Sequence, residues 1–211
     1  MDTIRLINLK NTVSAENHFT AKGLNNADIR RHAINDAAHS RNNNKLDAEI
    51  LIDYIIKTHH AFAKKNTIAI YNLAQKVAYR HSENHVELKK FNEIAFLFFH
   101  DLLNQMLKEE ESLFPYVRQT MSEIKHHAKN NSTTLQPLKE KLQLQQAEHQ
   151  KSFDYLKVFR EITNDYKLPP DACSYYTSLF DKMKELERDL IIHFHLEDDI
   201  LFGLCNRIAK D

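Results

Sequence analysis

Apolar positions along this chain recur with the period of a helix, and polar breakers cut the pattern into long rods. Ile94, Phe98, Leu102, Leu113 and Tyr116 fall at spacings of three, four or whole turns. Leu179, Met183, Leu186, Leu190, Ile200, Leu201 and Leu204 do the same. Such stripes predict one helix face turned to a core. The breakers are Asn42-Asn43-Asn44, Ser82-Glu83-Asn84, Asn130-Asn131-Ser132 and Lys167-Leu168-Pro169-Pro170. Helices are therefore predicted near 46–80, 86–128, 136–166 and 170–209, to within a few residues. Pro169-Pro170 suits a loop running into a first helical turn, whereas Pro115 should kink or break the second helix. Residues 1–45 predict shorter helices with few large apolar side chains, a small appendage ahead of a domain at 46–211. Four long helices joined by short polar loops make an all-α, antiparallel four-helix bundle the economical fold.

Composition narrows the function. Only 2 of 211 residues are Gly, where average usage of roughly 7% would give about 15. Sheet turns and phosphate-cradling loops need glycine, so Rossmann and P-loop chemistry are excluded. Lys+Arg and Asp+Glu both total 29, so no basic excess favours nucleic acid. The longest apolar run, Ile94 to Phe99, is far short of the ~20 residues that span a bilayer. No charged-then-apolar leader opens the sequence. Cys173 and Cys205, if on one helix, lie about 48 Å apart at 1.5 Å per residue and cannot bridge. A reduced, cytoplasmic protein is the expectation.

The chemistry lies in an internal repeat. Residues 105–115 (QMLKEEESLFP) match residues 193–203 (HFHLEDDILFG) at a constant offset of 88. Gln105 pairs with His193, Glu109 with Glu197, Leu113 with Leu201, Phe114 with Phe202 and, upstream, Asp101 with Asp189. His60 and His149 join loosely, 89 apart. Two helix pairs related by a pseudo-two-fold axis follow. His193 and Glu197, at i and i+4, project from one side of their helix in register with core positions. A buried Glu is costly unless it is paired or bound to metal. Glu109 poses the same problem, and His60 and His149 point inward from the first and third helices. Two carboxylates and three imidazoles are the ligands of a two-metal site, and mixed N and O donors favour iron, then manganese or zinc.

A single buried His–Glu pair is usually only a hydrogen bond, so the repetition is what carries the metal reading. Most other histidines are read as ordinary. His195 faces away from His193, His100 is out of phase with Glu109, and His126 and His127 sit beside lysines on a solvated end. His18, His32 and His39 lie in the appendage, while adjacent His59 competes with His60. Asp101 and Asp189, each one turn before a ligand position, are candidates to orient imidazoles or guide metal, or simply to solvate the helix ends.

With these motifs, the chain resembles the hemerythrin-like di-iron proteins known as repair of iron centres, or iron–sulfur cluster repair, proteins. The matching stretches are Asp53–His60, Lys76–His81, Met106–Pro115, Ala147–His149, Leu168–Cys173 and His193–Phe202. The resemblance implies a carboxylate-bridged di-iron centre and restoration of iron–sulfur clusters damaged by nitric oxide or peroxide. It implies His60, Glu109, His149, His193 and Glu197 as the iron ligands, with both Glu bridging, and Glu148 as a group near an iron exit. Iron–sulfur proteins would be the iron acceptors, and a homodimer is suggested. Two departures stand out. Position 105 is Gln where the family has His, which predicts a weaker second iron or a one-metal site. Residues 1–50 also lack the family's N-terminal Cys pair. The rival readings are a hemerythrin-type module binding oxygen or nitric oxide, and a metal-depleted helical interaction domain. His81, 21 residues beyond His60, is assigned to the loop at the bundle's end and left out of the site.

Overall fold

The computed structural model describes residues 48–126 and 132–208. The predicted appendage, with His18, His32 and His39, lies outside them, as does His127. The described residues form helices joined by short turns and loops, and contain no strand. They form four rods. The first comprises α1 (Ala48–Tyr54), a π turn (Ile55–His60) and α2 (Ala61–His81). The second comprises α3 (Glu87–Lys108), a π turn (Glu109–Leu113) and α4 (Phe114–His126). The third is α5 (Ser132–Ile162) alone. The fourth comprises α6 (Ser174–His195), a π turn (Leu196–Leu201) and α7 (Phe202–Ile208).

Neighbouring rods run antiparallel, as their side-chain pairs show. On rods one and two, Asp53 meets Arg118 at 2.5 Å while Lys64 meets Glu110 at 2.7 Å. On rods one and four, His59 meets Asp189 and Asn66 meets Lys182. On rods three and four, His149 meets Asp198 and Arg160 meets Glu187. In each case the partner number falls as the first number rises. None of the described helices is long and apolar enough to cross a membrane.

The core of this bundle is aromatic at one end. Phe91, Phe98, Phe159, Tyr176 and Phe180 are buried there, with the Phe159 ring 4.8 Å from Phe91 and 5.7 Å from Phe98. Rod three closes this end through a tight turn. Asn164, Asp165 and Tyr166 all adopt left-handed φ (49°, 59° and 56°). Asn and Asp tolerate this region; Tyr does not. Tyr166 is held there by burial and by its backbone N–H, which donates to Thr163 Oγ1 at 2.9 Å.

Three sequence expectations need correction. Pro115 neither breaks nor ends the second rod: it is the second residue of α4, directly after a π turn. A proline this early in a helix forgoes little, because the backbone is changing its hydrogen-bond register there. The fourth rod begins later than residue 170: Pro169-Pro170 lie in the loop before it, as expected, and the helix starts at Ser174 with Cys173 as its N-cap residue. Third, the apolar stripes shift phase after the π turns. Tyr116, Ile200 and Leu204 are only half-buried, while Val117, Phe202 and Cys205 occupy the core. A π turn adds one residue to the helical repeat and rotates everything beyond it by about 100°.

Because Phe159 sits amid the aromatic end, Phe159→Ala should cost about 3–5 kcal/mol of stability. Denaturant unfolding of the metal-free chain would read this as a lowered midpoint with an unchanged slope.

Candidate metal centre

All five residues singled out in the sequence meet at one buried point. His60 closes the first π turn and Glu109 opens the second; Glu197 lies in the third, four residues after His193. His149 comes from the middle of α5. Each side chain is at most 1% exposed. The π turns bear directly on this placement. The Phe114 N–H reaches back five residues to the Glu109 carbonyl, and the Phe202 N–H does the same to Glu197. These anchors are related by the same offset of 88 as the carboxylates. Each buried Glu thus sits within a widened turn, and π turns are frequent at functional sites.

The distances define two halves. In one, His60 Nε2 lies 3.0 Å from His193 Nε2 and 3.2 Å from Glu109 Oε2. Glu197 Oε1 lies 2.9 Å from His193 Nε2 and 3.6 Å from His60 Nε2. One donor atom from each of these four residues falls within 4.8 Å of the others. In the other half, His149 Nε2 lies 2.9 Å from Glu197 Oε2 and 3.6 Å from Glu109 Oε1. Both carboxylates therefore offer one oxygen to each half.

The donor set fits a metal ion. Glu110 Oε1 stands 2.6 Å from His60 Nδ1, and Asp198 Oδ1 stands 2.9 Å from His149 Nδ1. A neutral imidazole whose Nδ1–H donates to a carboxylate presents a bare lone pair on Nε2. Those lone pairs point at one another and at carboxylate oxygens. Glu109 Oε2 and Glu197 Oε2 accept no hydrogen bond, although an imidazole nitrogen stands nearby. Converging lone pairs in an apolar interior require positive charge between them. The buried His/Glu group can hold a metal ion.

Glu110 and Asp198 were not singled out in the sequence. They are themselves separated by 88 residues, so the repeat extends to the carboxylates behind the imidazoles and the signal was present. Lys64 grips Glu110 through both oxygens, at 2.7 and 2.8 Å. The imidazole-orienting role considered for Asp101 and Asp189 does not fall on these ligands. Asp101 bonds Lys151 and Tyr155, and Asp189 bonds His59. His59 is buried beside the site, its ring stacked on His193 at 5.8 Å, but its Nδ1 is paired with Asp189 rather than with Glu109 or Glu197. His100 is exposed, and His195 turns outward to Asp199.

Glutamine makes the two halves unequal. Gln105 Nε2 donates to Glu109 Oε1 at 2.9 Å, and Gln145 Nε2 donates to the same oxygen. Gln145 Nε2 also stands 3.2 Å from His149 Nε2. The second half thus holds one imidazole and two amides, where the first holds two imidazoles. Gln145, one turn before His149, was missed because an amide on a polar stretch carries no charge signal. A cleft of about 370 Å³ lined by Lys108, Leu113, Lys141, Gln145 and Glu148 opens beside this half, and Glu148 is half-exposed on its wall.

The charges balance without metal. Burial works to lower the pKa of His60, but the Glu109 and Glu197 carboxylates outweigh it and push His60 up to about 10. His149 is likewise raised well above its ordinary value, against burial, by Asp198, Glu109 and Glu197. Burial pushes the two Glu up, and Glu197 also repels charge on Glu109, yet the imidazoles hold both below the usual carboxylate range. Two imidazolium protons thus neutralise two carboxylates, the same charge a divalent ion would carry.

No protein-family model matches this chain. It is similar to proteins named iron–sulfur cluster repair protein YtfE. Identity is 28% to those of Escherichia coli O157:H7 and O81 (strain ED1a), and 27% to that of strain K12 / DH10B. Each match covers 152 residues, 72% of this chain and 63% of the relative. The chain therefore spans less than two thirds of these relatives' length. The likeness supports the resemblance read from the motifs.

The balance of charge predicts a pH effect on the metal-free chain. A His whose folded pKa is raised contributes stability that is complete below its unfolded pKa and is lost as pH rises through the folded value. For His60 that window runs from the ordinary 6.5 up to about 10. Denaturation midpoints measured across this range should fall with rising pH, and His60→Gln should flatten the slope.

Proposed function

We propose that this chain is a hemerythrin-like iron protein that serves the repair of damaged iron–sulfur clusters by holding and donating iron. The observation that carries the proposal is the convergence of His60, Glu109, His149, His193 and Glu197, lone pairs inward, on one buried point. The named relatives supply the direction: they are iron–sulfur cluster repair proteins, and their likeness covers most of this chain. Mixed imidazole and carboxylate donors suit ferrous and ferric iron.

The ligands are the five named residues. Glu109 and Glu197 would each give one oxygen to either half. His60 and His193 cap the first half and His149 the second. Iron bound there supplies Lewis acidity and a position for small diatomic ligands such as oxygen or nitric oxide. Glu110 and Asp198 fix the tautomer and ring plane of His60 and His149. Gln105 and Gln145 act as weak neutral donors in the second half, where turning either amide over presents its oxygen. The first half therefore binds tightly, and the second binds weakly or stays unmetallated.

Donation follows from the charge balance. As iron leaves, His60 and His149 take up protons and neutralise the two Glu, so neither carboxylate is left as a bare buried charge. The interior is already arranged for both states. The cleft past Gln145 and Glu148 is the short way out. The acceptors are apo iron–sulfur proteins, and the setting is the cytoplasm under nitrosative or oxidative stress.

Iron counted in the purified chain tests the first step: about one tightly held ion per chain, with Glu197→Gln reducing it to background. Gln105→His should add a second tightly held ion and the absorption of a bridged pair. Glu110→Ala, which removes the carboxylate behind His60, should weaken iron binding about 10- to 100-fold in competition with a chelator. Transfer is the decisive readout. The iron-loaded chain mixed with an apo iron–sulfur enzyme should restore that enzyme's activity. Reversible gas binding with no transfer would favour the oxygen- or nitric-oxide-binding module. Absence of bound metal would favour the helical interaction domain.

A further inference from the structure

A second cluster of metal-ligating side chains stands at the aromatic end of the bundle, about 31 Å from His60 at 1.5 Å rise per residue along α2. We propose that His81, His85, Asp171 and Cys173 form a separate binding site for a zinc-type divalent ion. The site clips together the two loops that close this end.

The backbone builds it from two directions. α2 ends at His81, whose carbonyl accepts the N–H groups of Asn84 and His85 at 3.1 and 2.9 Å. This tight turn lays the His85 ring beside His81, with centroids 6.2 Å apart. From the other side comes the loop ahead of α6, in which Ala172 N–H donates to the Pro169 carbonyl at 3.1 Å. Cys173 is the N-cap residue of α6, yet its side chain makes no capping bond. Its sulfur turns to His81 instead, with Nε2 at 3.1 Å from Sγ. Asp171 turns to His85, whose Nε2 stands 2.9 and 3.1 Å from the two carboxylate oxygens. One donor atom each from His81, His85 and Asp171 lies within 4.8 Å of the others.

Two imidazole nitrogens, one sulfur and one carboxylate oxygen are the donor types of a four-coordinate zinc site. Sulfur with nitrogen selects zinc over magnesium or calcium, which take oxygen. The surroundings fit as well. His85 Nδ1 lies 3.4 Å from Glu87 Oε1, the carboxylate-behind-imidazole arrangement that tunes metal-bound histidines. The buried Tyr176 ring forms the floor, 5.5 Å from His81 and 5.9 Å from His85. Asp171 is exposed, so an ion can enter from solvent. On binding, the Cys173 thiol gives its proton to solvent and the thiolate ligates the ion. The site shares no residue with the His/Glu centre and does not depend on what that centre binds.

Cobalt substitution of the full chain tests it. The protein is stripped with a chelator, checked for helicity, and given one equivalent of Co²⁺. The control thiol, Cys205, is buried in the other half of the bundle and pushed up to about 11 by that burial. A thiolate-to-cobalt charge-transfer band in the near ultraviolet is expected, with the visible bands of tetrahedral cobalt. Cys173→Ser should abolish the charge-transfer band; Cys205→Ser and Glu197→Gln should keep it. Zn²⁺ should displace the cobalt. Zn²⁺ at ten times its dissociation constant should also slow modification of Cys173 by a thiol reagent about tenfold, by mass action. No charge-transfer band in the unmodified chain, or a band that survives Cys173→Ser, would overturn the proposal. So would a Cys173 that modifies at the same rate with and without Zn²⁺.

Discussion

Two carboxylates buried among four helices cannot be left uncompensated, and much else in this bundle follows from how they are neutralised. Each Glu would face a penalty of several kcal/mol if it entered the interior alone and charged. The chain meets the problem with imidazoles, one from each of three rods, and with further carboxylates behind two of them. Glu109 and Glu197 keep His60 and His149 basic enough to hold protons when metal is absent, with Asp198 adding to His149, while Glu110 and Asp198 bond the Nδ1 atoms of the two rings. The same contacts aim a lone pair inward when metal is present. One set of groups serves both states, and the interior need not unfold to exchange a cation for two protons.

The two-fold character of the centre has a limit at residues 105 and 145. Nearly every other part has its counterpart: Glu109 with Glu197, Glu110 with Asp198, the π turn at Glu109 with that at Leu196. Gln105 alone departs from the pairing with His193, and Gln145 fills the space beside it. An amide is neutral in every state, so it neither holds a spare proton nor competes for one. Placing two amides on one oxygen of Glu109 pins that carboxylate without adding charge. The asymmetry is therefore one of hydrogen bonding more than of charge: a basic imidazole stands in each half, and the half with two amides adds their hydrogen bonds to Glu109.

Much of this was legible in the amino-acid sequence, and the parts that were not share a physical cause. Composition and breakers indicated helices and their number, and the offset of 88 picked out Glu109, Glu197 and His193. Burial of a charged side chain in an apolar stripe is a strong signal because it is costly. The π turns gave no such signal, since periodicity assumes a constant 3.6 residues per turn. Val117, Phe202 and Cys205 accordingly took core places expected of Tyr116, Ile200 and Leu204. Glu110 and Asp198 were hidden among runs of acidic residues that resemble a solvated face, and Gln145 resembles any surface amide.

The division of labour along the bundle ties these features together. The half that carries the His/Glu centre contains three π turns, buried charge and a cleft beside Gln145. Each of these weakens helix packing relative to an apolar, regular α-helical core. The opposite half packs the rings of Phe91, Phe98, Phe159 and Phe180 against one another within regular α-helix. It is also where Arg160 and Glu187 pair at 2.6 Å and where the two closing loops meet at His81 and Cys173. Helices are stiff over this length, so order imposed at one end is carried along the rods to the other. A charged centre can then persist because its scaffold is anchored elsewhere, by aromatic packing and by the loops that His81 and Cys173 draw together.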